Sequence, residues 1–178
     1  MPQLISRADA LARIVAEGGR PPCLMCAIRD GGVGPVHTVY DNDRMLVMLP
    51  RYVRRWGHMM VLPKAHVVSY SQIDPALWLE ASQLALVAAR VVEEVRQPVR
   101  CYVASTGSNA GEELIQTSRH LHMHIIPLYD PDDRPRDIFS WSQGVYVAEP
   151  HEWEALRDAY RAAWPAHATA SVSSFPRP

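Results

Sequence analysis

The sequence predicts an α+β fold in which one long helix packs on an antiparallel sheet of about five strands. Within residues 119–128, positions 120–125 alternate strictly between polar and apolar side chains, which is typical of a half-buried β-strand. Residues 75–96 keep a continuous apolar face at helical spacing. Short strand-like runs lie before and after this helix, and that order favours an antiparallel sheet with a helical extension at each end of the chain.

The N-terminal segment predicts a helix over residues 3–17, because its apolar side chains recur at helical spacing. Ser6 and Asp9 supply a capped start. Gly18-Gly19 ends the helix, and two prolines follow it closely. We therefore treat residues 1–21 as an N-terminal helical extension.

Three strand-like segments come next and predict consecutive antiparallel strands. Residues 36–40 and 45–49 flank a short Asp/Asn turn, which indicates a hairpin. Residues 58–63 form the third strand, and it ends at Pro63 because proline cannot donate to a central ladder. The arginine-rich stretch 50–56 between the second and third strands is predicted to be an irregular loop.

The long helix over residues 75–96 has the clearest boundaries in the chain. Asp74 is a good N-cap and Pro75 suits the first helical position. Gln97-Pro98 ends the helix. A well-capped apolar helix of this length predicts the main packing partner of the sheet.

The remaining segments complete the predicted order. A fourth strand at 99–105 and a polar loop at 106–118 lead to the alternating strand. Residues 131–136 indicate a linker, 151–164 a terminal helix and 165–178 a disordered tail. The chain is thereby divided into an N-terminal extension, a central domain and a C-terminal extension, at residues 1–21, 22–130 and 131–178.

Composition limits the classes of partner. A net charge of −1 and a pI near 6.7 give no electrostatic basis for binding duplex nucleic acid. The sequence shows neither a signal-peptide pattern nor an apolar run near 18 residues, so no membrane partner is expected. Three cysteines do not suggest a secreted disulfide framework. We expect a soluble cytoplasmic protein.

Three histidines dominate the alternating strand. His120, His122 and His124 occupy every second position, so their imidazoles are expected on one face, with the intervening apolar residues on the other. Three imidazoles on one strand face indicate a functional site. They suit either metal binding or nucleophilic and acid–base chemistry at phosphorus, and their spacing alone does not separate the two.

Neighbouring motifs resemble the histidine-triad (HIT) family over about residues 22–129. The motifs are Cys23-x-x-Cys26, Gly57-His58-Met-Met-Val-Leu-Pro63-Lys64-Ala-His66 and His120-Leu-His122-Met-His124-Ile-Ile-Pro127, the last preceded by Asn109 and Gln116. They occur in the family's order, with the long helix between the second and third. The resemblance implies a HIT-like sheet and a homodimer whose sheet continues across the interface.

The resemblance also implies a nucleotide hydrolase. His122 would attack an α-phosphate and form a nucleotidyl-histidine that water then cleaves. His124 and His58 would hydrogen-bond phosphoryl oxygens and pass a proton to the leaving group. Polar positions matching the family's phosphate or leaving-group contacts are Asn109, Gln116 and Thr117. The alternatives are a nucleotide phosphorylase or nucleotidyl transferase, a nucleotide-binding module without turnover, and a metal-centred enzyme that uses all three histidines of the strand.

A structural zinc site follows from the same resemblance. Its ligands match Cys23, Cys26, His66 and His120. Two thiolates and two imidazoles form a closed tetrahedral site, which is structural rather than catalytic. The alternative is that both cysteines are ordinary reduced thiols.

One loop departs from the family pattern. Pro50 stands where relatives place an Asp or Asn that binds ribose, and proline has no side-chain donor or acceptor. Arg51, Arg54 and Arg55 crowd the same loop. Either ribose recognition is rearranged, or the substrate carries more negative charge than a simple adenylate.

Overall fold

The structure, a computed structural model, describes residues 2–18, 23–107 and 119–170. Within these ranges the elements follow in the order β1 Gln3–Ile5, α1 Arg7–Gly18, α2 Leu24–Arg29, β2 His37–Asp41, β3 Met45–Leu49, β4 Met59–Pro63, α3 Pro75–Arg96, β5 Arg100–Thr106, β6 His122–Leu128, α4 Pro135–Ser140, β7 Val145–Val147 and α5 Pro150–Ala170.

An antiparallel sheet of five strands forms the centre of the molecule. Its strand order is β2-β3-β4-β6-β5, so the histidine strand β6 lies between β4 and the edge strand β5. His124 lies opposite Met60 on β4 and Ala104 on β5. The predicted α+β class, the five-stranded antiparallel sheet and the long helix at residues 75–96 are confirmed.

Helices α3 and α5 cover one face of this sheet and form the main core with it. The helix side chains in this core include Leu77, Val91, Trp153, Leu156 and Tyr160. By length and composition alone, α3 is apolar enough to cross a membrane. Its apolar face packs on the sheet instead, and Asp74 caps its first turn by accepting from the backbone N–H groups of Ala76 and Leu77 at 2.9 and 3.1 Å.

The opposite face of the sheet carries the histidines between two short helices. Met25 of α2 packs on the methionines and leucines of β3 and β4 at one end. Ile138 of α4 packs on Ile126 and Leu128 at the other end. All seven residues of β6 are therefore buried, and the prediction of a half-buried strand was wrong. Neither short helix was predicted, so the cover over the histidine face was missed.

The first predicted helix begins later than expected. Gln3–Ile5 pairs antiparallel with Val145–Val147 and forms a second, two-stranded sheet. The helix starts after Ser6, whose Oγ accepts a hydrogen bond of 3.1 Å from the backbone N–H of Asp9. The cap was predicted correctly, but the strand before it depends on a partner that lies more than 130 residues away.

The C-terminal helix extends beyond its predicted end. α5 continues through Pro165 to residue 170, so residues 165–170 are helical rather than a disordered tail. Trp164 stacks on Tyr40 at 5.3 Å between ring centroids, and His167 Nε2 lies 2.6 Å from a carboxylate oxygen of Glu94 on α3. These contacts hold the helix on both sides of the proline. Residues 171–178 lie outside the described ranges, and the three-part division of the chain stays a prediction.

Candidate active site and metal site

The structure brings His58, His122 and His124 together in a buried cluster. His122 Nε2 lies 3.1 Å from His124 Nε2, and His124 Nδ1 lies 3.0 Å from His58 Nε2. All three side chains are at most 5% exposed. The predicted catalytic histidines thus form one hydrogen-bonded chain that connects β6 with the start of β4.

A backbone carbonyl sets the proton positions along this chain. His122 Nδ1 lies 2.6 Å from the carbonyl oxygen of His120. Because a carbonyl oxygen only accepts, Nδ1 of His122 carries the proton and Nε2 is the basic nitrogen. If each ring is neutral, His124 Nε2 donates to His122 and His58 Nε2 donates to His124 Nδ1. This leaves His58 Nδ1 as an acceptor, and that buried atom has no hydrogen-bond partner among the described residues.

Burial keeps these imidazoles neutral. It lowers the pKa of His122 to about 4, although the hydrogen bond to the His120 carbonyl opposes the shift. Burial also lowers the pKa of His58 and His124 well below the ordinary value, and the neighbouring histidines add to the effect. A neutral imidazole keeps a lone pair, so the cluster supplies a nucleophile at neutral pH.

Gly57 and Tyr160 position His58. Gly57 has a φ of +100°, a backbone conformation that L side chains rarely adopt. Its carbonyl oxygen accepts a hydrogen bond of 2.7 Å from the hydroxyl of Tyr160, which is fully buried in α5. This contact ties the residue before His58 to the C-terminal helix. Sequence reasoning missed the role of Tyr160, because only the tertiary fold brings it to the site.

His120 belongs to a different cluster. β6 begins at His122, and the His120 ring lies among Cys23, Cys26 and His66. The three imidazoles were expected to share one strand face. In the structure His120 precedes the strand, and its ring joins the metal-binding group instead of the chain formed by His122 and His124. Among the described residues, the group of potential metal ligands contains His120 but neither His122 nor His124. A metal site built from all three strand histidines is thus not what the structure forms.

The Cys/His cluster has the dimensions of a tetrahedral metal site. Its four ligand atoms all lie within 4.8 Å of one another. His120 Nδ1 lies 3.5 Å from each cysteine sulfur, and His66 Nδ1 lies 3.3 Å from Cys26 Sγ. Tetrahedral zinc with ordinary Zn–S and Zn–N bonds places sulfur and nitrogen about 3.6 Å apart. Cys23, Cys26, His66 and His120 can therefore hold a metal ion.

Backbone groups form hydrogen bonds with two of these ligands, His120 and Cys23. His120 Nε2 lies 2.8 Å from the carbonyl oxygen of Pro63, so Nε2 carries the proton and Nδ1 is left to bind. The backbone N–H of Cys26 donates to Cys23 Sγ at 3.4 Å, since Cys23 caps the short helix α2. Burial, together with the Cys23 thiol, raises the pKa of Cys26 to about 11. Binding a cation would have to displace that proton.

Three of the predicted substrate-binding residues lie outside the ranges that the structure describes. They are Asn109, Gln116 and Thr117, and their roles stay predictions. Pro50 lies at the end of β3 and begins the arginine-rich loop. Tyr129 connects the end of this loop to α3. Its hydroxyl donates to the Trp56 carbonyl at 2.6 Å and accepts a hydrogen bond from Arg96 Nε at 3.1 Å.

Comparison with known proteins identifies the family of the domain that carries these residues. A family model of the HIT domain matches residues 32–130, which is more than half of the chain. A 16.1 kDa HIT-like protein of Mycoplasma pneumoniae is 33% identical over 109 residues, which cover 61% of this chain and 72% of that protein. The adenylylsulfatase HINT3 of Arabidopsis thaliana is 25% identical over 111 residues, covering 62% of this chain and 54% of that protein.

The fold is also shared with solved structures. A zinc-bound histidine triad family protein from Mycobacterium smegmatis superposes with a TM-score of 0.62 at 24% identity, covering 83% of this chain and 96% of that chain. At this identity the likeness concerns the fold. Together with the family match across both histidine motifs, it leads to one conclusion: the chain belongs to the HIT domain family.

Proposed function

We propose that the protein is a nucleotide hydrolase that cleaves a nucleotidyl P–N or P–O–P bond through a covalent intermediate on His122. The observation that carries the proposal is the hydrogen bond between His122 Nδ1 and the His120 carbonyl. It fixes the tautomer whose Nε2 is basic, and burial keeps the ring neutral. The HIT family membership and the activity named for the adenylylsulfatase relative support the same class of chemistry.

In the proposed first step, His122 Nε2 forms a bond to the α-phosphorus. The bond from phosphorus to the bridging nitrogen or oxygen breaks, and its electron pair leaves with the leaving group. His124 supplies the nearest hydrogen-bond donor, because in the neutral chain its Nε2–H points at His122 Nε2. Substrate that enters between the two rings receives this hydrogen bond on a phosphoryl oxygen or on the leaving atom.

In the second step, water attacks the same phosphorus and the N–P bond returns its electron pair to His122. The proton lost by water balances the proton that the leaving group takes up, so one water molecule is consumed for each bond cleaved and the histidines return to their neutral state. His58 assists by holding the His124 ring in its orientation through the 3.0 Å contact between His58 Nε2 and His124 Nδ1. Asn109, Gln116 and Thr117 are proposed to contact the phosphate or the leaving group.

The metal is proposed to be zinc with a structural role. Two sulfur and two nitrogen donors in a closed set leave no open coordination position, which is the pattern of structural zinc sites. The relative from Mycobacterium smegmatis is zinc-bound, and the donor geometry described above supports the same metal here. Bound there, the metal would join α2 to the segment that precedes β6.

A homodimer and a cytoplasmic location complete the proposal. β5 is one edge of the central sheet; Val103 on this strand is 53% exposed and Val99, just before it, is 62% exposed. An exposed apolar edge strand suits pairing with a second copy, which continues the sheet. Light scattering coupled to size exclusion tests this directly, and a monomer at micromolar concentration contradicts it.

Product analysis tests the reaction. Purified protein is incubated with adenosine phosphoramidate or a dinucleoside polyphosphate, in ¹⁸O-labelled water and with inorganic phosphate. A hydrolase releases AMP that carries one ¹⁸O atom. With the phosphoramidate, whose hydrolysis yields no ADP, any ADP is formed from the added phosphate and identifies a phosphorylase. His122→Asn is expected to lower turnover by about three orders of magnitude or more while AMP still binds. Native protein that binds AMP but turns over neither substrate is a binding module.

A further inference from the structure

Three arginines of the loop after β3 look equivalent in the sequence but differ in the structure. Arg51 forms an ion pair of 2.8 Å with Glu17 on α1. Arg55 forms an ion pair with Asp133 and also donates to Gln143. Within the described ranges, the Arg54 side chain has no carboxylate partner, and its buried Nε atom makes no hydrogen bond. One cation of the loop therefore lacks a counter-charge from the part of the chain that the structure describes.

This unmatched cation is also well buried. Arg54 is only 8% exposed. Its guanidinium carbon lies 5.5 Å from the ring centroid of Phe139 and 5.8 Å from that of Trp141. The aromatic faces offset part of the cost of burying a charge but supply no hydrogen-bond acceptor. A guanidinium held in this way offers planar N–H groups that match the oxygens of a phosphate.

Phe139 connects Arg54 with the histidine cluster. The rings of Phe139 and His124 lie 6.4 Å apart, so Arg54, Phe139 and His124 follow one another along the site. The Arg54 charge also contributes to the lowered pKa of His58, His122 and His124, although burial is the main cause for each. The cation is therefore on the His124 side of the cluster and within electrostatic reach of all three rings.

This position has a consequence for the substrate, given the proposed role of His122 as the nucleophile. In an in-line displacement, the leaving group departs on the side opposite to the attacking atom. A cation displaced from His122 toward His124 and Phe139 would meet an anion on the leaving-group side. Phosphoramidates of ammonia or simple amines have no anion there, whereas polyphosphates have at least one phosphate.

We propose that Arg54 binds a phosphate on the leaving-group side of the scissile bond, so that the protein prefers nucleoside or dinucleoside polyphosphates to phosphoramidates. The proposal rests on the proposed hydrolase function and names its substrate class. It also gives the C-terminal extension a role in specificity, because Phe139 and Trp141 hold the cation from that extension.

Two substrates with the same adenylyl group test the preference. Diadenosine triphosphate releases ADP, whereas adenosine 5′-phosphoramidate releases ammonia. Arg54→Met is expected to lower kcat/KM for the triphosphate by about 100-fold, the usual effect of losing one charge-stabilising donor, and for the phosphoramidate by less than fivefold. Arg54→Lys keeps the charge without the planar fork and should fall between wild type and Arg54→Met.

Arg51→Met is the matched control, because it removes an arginine of the same loop whose charge is met by Glu17. Its kcat/KM should stay within twofold of wild type on both substrates. Equal losses on both substrates in Arg54→Met, or no loss on either, overturn the proposal. Thermal unfolding checks that the variants fold, and Arg54→Gln replaces Arg54→Met if the latter does not.

Nucleotide binding separates this proposal from the proposed function. If wild type turns over neither substrate, the hydrolase function fails, but calorimetry with ADP and AMP still tests Arg54. Wild type should bind ADP at least tenfold more tightly than AMP, and Arg54→Met should remove that difference. Equal affinity of wild type for ADP and AMP overturns the role of Arg54 whatever the outcome of the kinetics.

Discussion

The carbonyl oxygen of His120 accepts a 2.6 Å hydrogen bond from His122, while the His120 ring lies 3.5 Å from the sulfurs of Cys23 and Cys26. One residue thus takes part in both clusters, with its backbone in the histidine chain and its side chain in the metal site. Any shift of His120 moves the acceptor that fixes the tautomer of His122. The two sites therefore share His120, and this predicts that a change in one site is felt in the other.

This coupling predicts that metal removal lowers turnover as well as stability. A ligand present at about 1,000 times its dissociation constant stabilises the fold by about 4 kcal/mol, which corresponds to a Tm change of about 8–16 °C in a chain of this size. Cys26→Ser should lose the metal, lower Tm by an amount of this order and lower kcat at temperatures where it stays folded. Elemental analysis, calorimetry and kinetics measure the three effects.

Cys101→Ser provides the comparison, because Cys101 is a half-buried cysteine outside the Cys/His group. It should keep the metal content and kcat of wild type. A Cys26→Ser protein with unchanged metal content would remove Cys26 from the ligand set. One that loses the metal but keeps full kcat would show that His120 does not couple the sites.

The elements that could be predicted are those with local signals. Asp74 and Pro75 mark the start of α3, and the polar turn at 41–43 marks the hairpin of β2 and β3. The pairing of β1 with β7 has no such signal, since each strand is three residues long and the partners are far apart in sequence. α2 was missed because its N-cap is a cysteine sulfur, which lies outside the usual set of capping residues.

The candidate site was predictable in composition but not in arrangement. The motifs indicated every histidine of the two clusters, yet strand periodicity placed His120 beside His122 and His124. The structure separates them because β6 begins only at His122. Arg54 could not be distinguished from its neighbours in the sequence, because the carboxylates that pair with Arg51 and Arg55 come from α1 and from the segment before α4.

Buried neutral histidines predict acid sensitivity. The folded-state pKa of His122 is about 4, below the ordinary 6.5, so between these values the unfolded chain takes up a proton that the folded chain does not. The contribution of His122 to the free energy of unfolding is therefore fully present above pH 6.5 and is lost as the pH falls toward 4. The shift corresponds to about 3 kcal/mol for His122. Urea denaturation at pH 7.5 and 4.5 measures the loss.

A histidine variant isolates this contribution. His122→Asn removes the titrating group, so it should lose less free energy of unfolding than wild type between the two pH values. His151→Asn, which changes an exposed histidine at the start of α5, should lose as much as wild type. The same loss in all three proteins would assign the acid sensitivity to other groups.

Tyr160 is predicted to stabilise the segment that carries His58. Tyr160→Phe removes the hydroxyl that donates to the Gly57 carbonyl and leaves that acceptor without its partner. The expected cost is about 1–3 kcal/mol of unfolding free energy. kcat/KM should fall by less than about tenfold, because His124 still holds the His58 ring. Tyr70→Phe, at an exposed tyrosine, should change neither quantity. Wild-type stability in Tyr160→Phe would contradict the role of this hydrogen bond.

Gly57→Ala is predicted to be more damaging than another alanine substitution at a positive φ. Gly57 and Gly31 have φ values of +100° and +73°, so alanine is strained at both positions, at a cost of about 1–3 kcal/mol. At Gly57 the new Cβ would also lie 2.7 Å from the Tyr160 hydroxyl oxygen, whereas at Gly31 it meets nothing within 4 Å. The overlap at Gly57 should add about 1–3 kcal/mol and displace His58. Urea denaturation and kcat/KM of the two variants measure the difference. Equal destabilisation in both would mean that the Tyr160 contact relaxes without consequence.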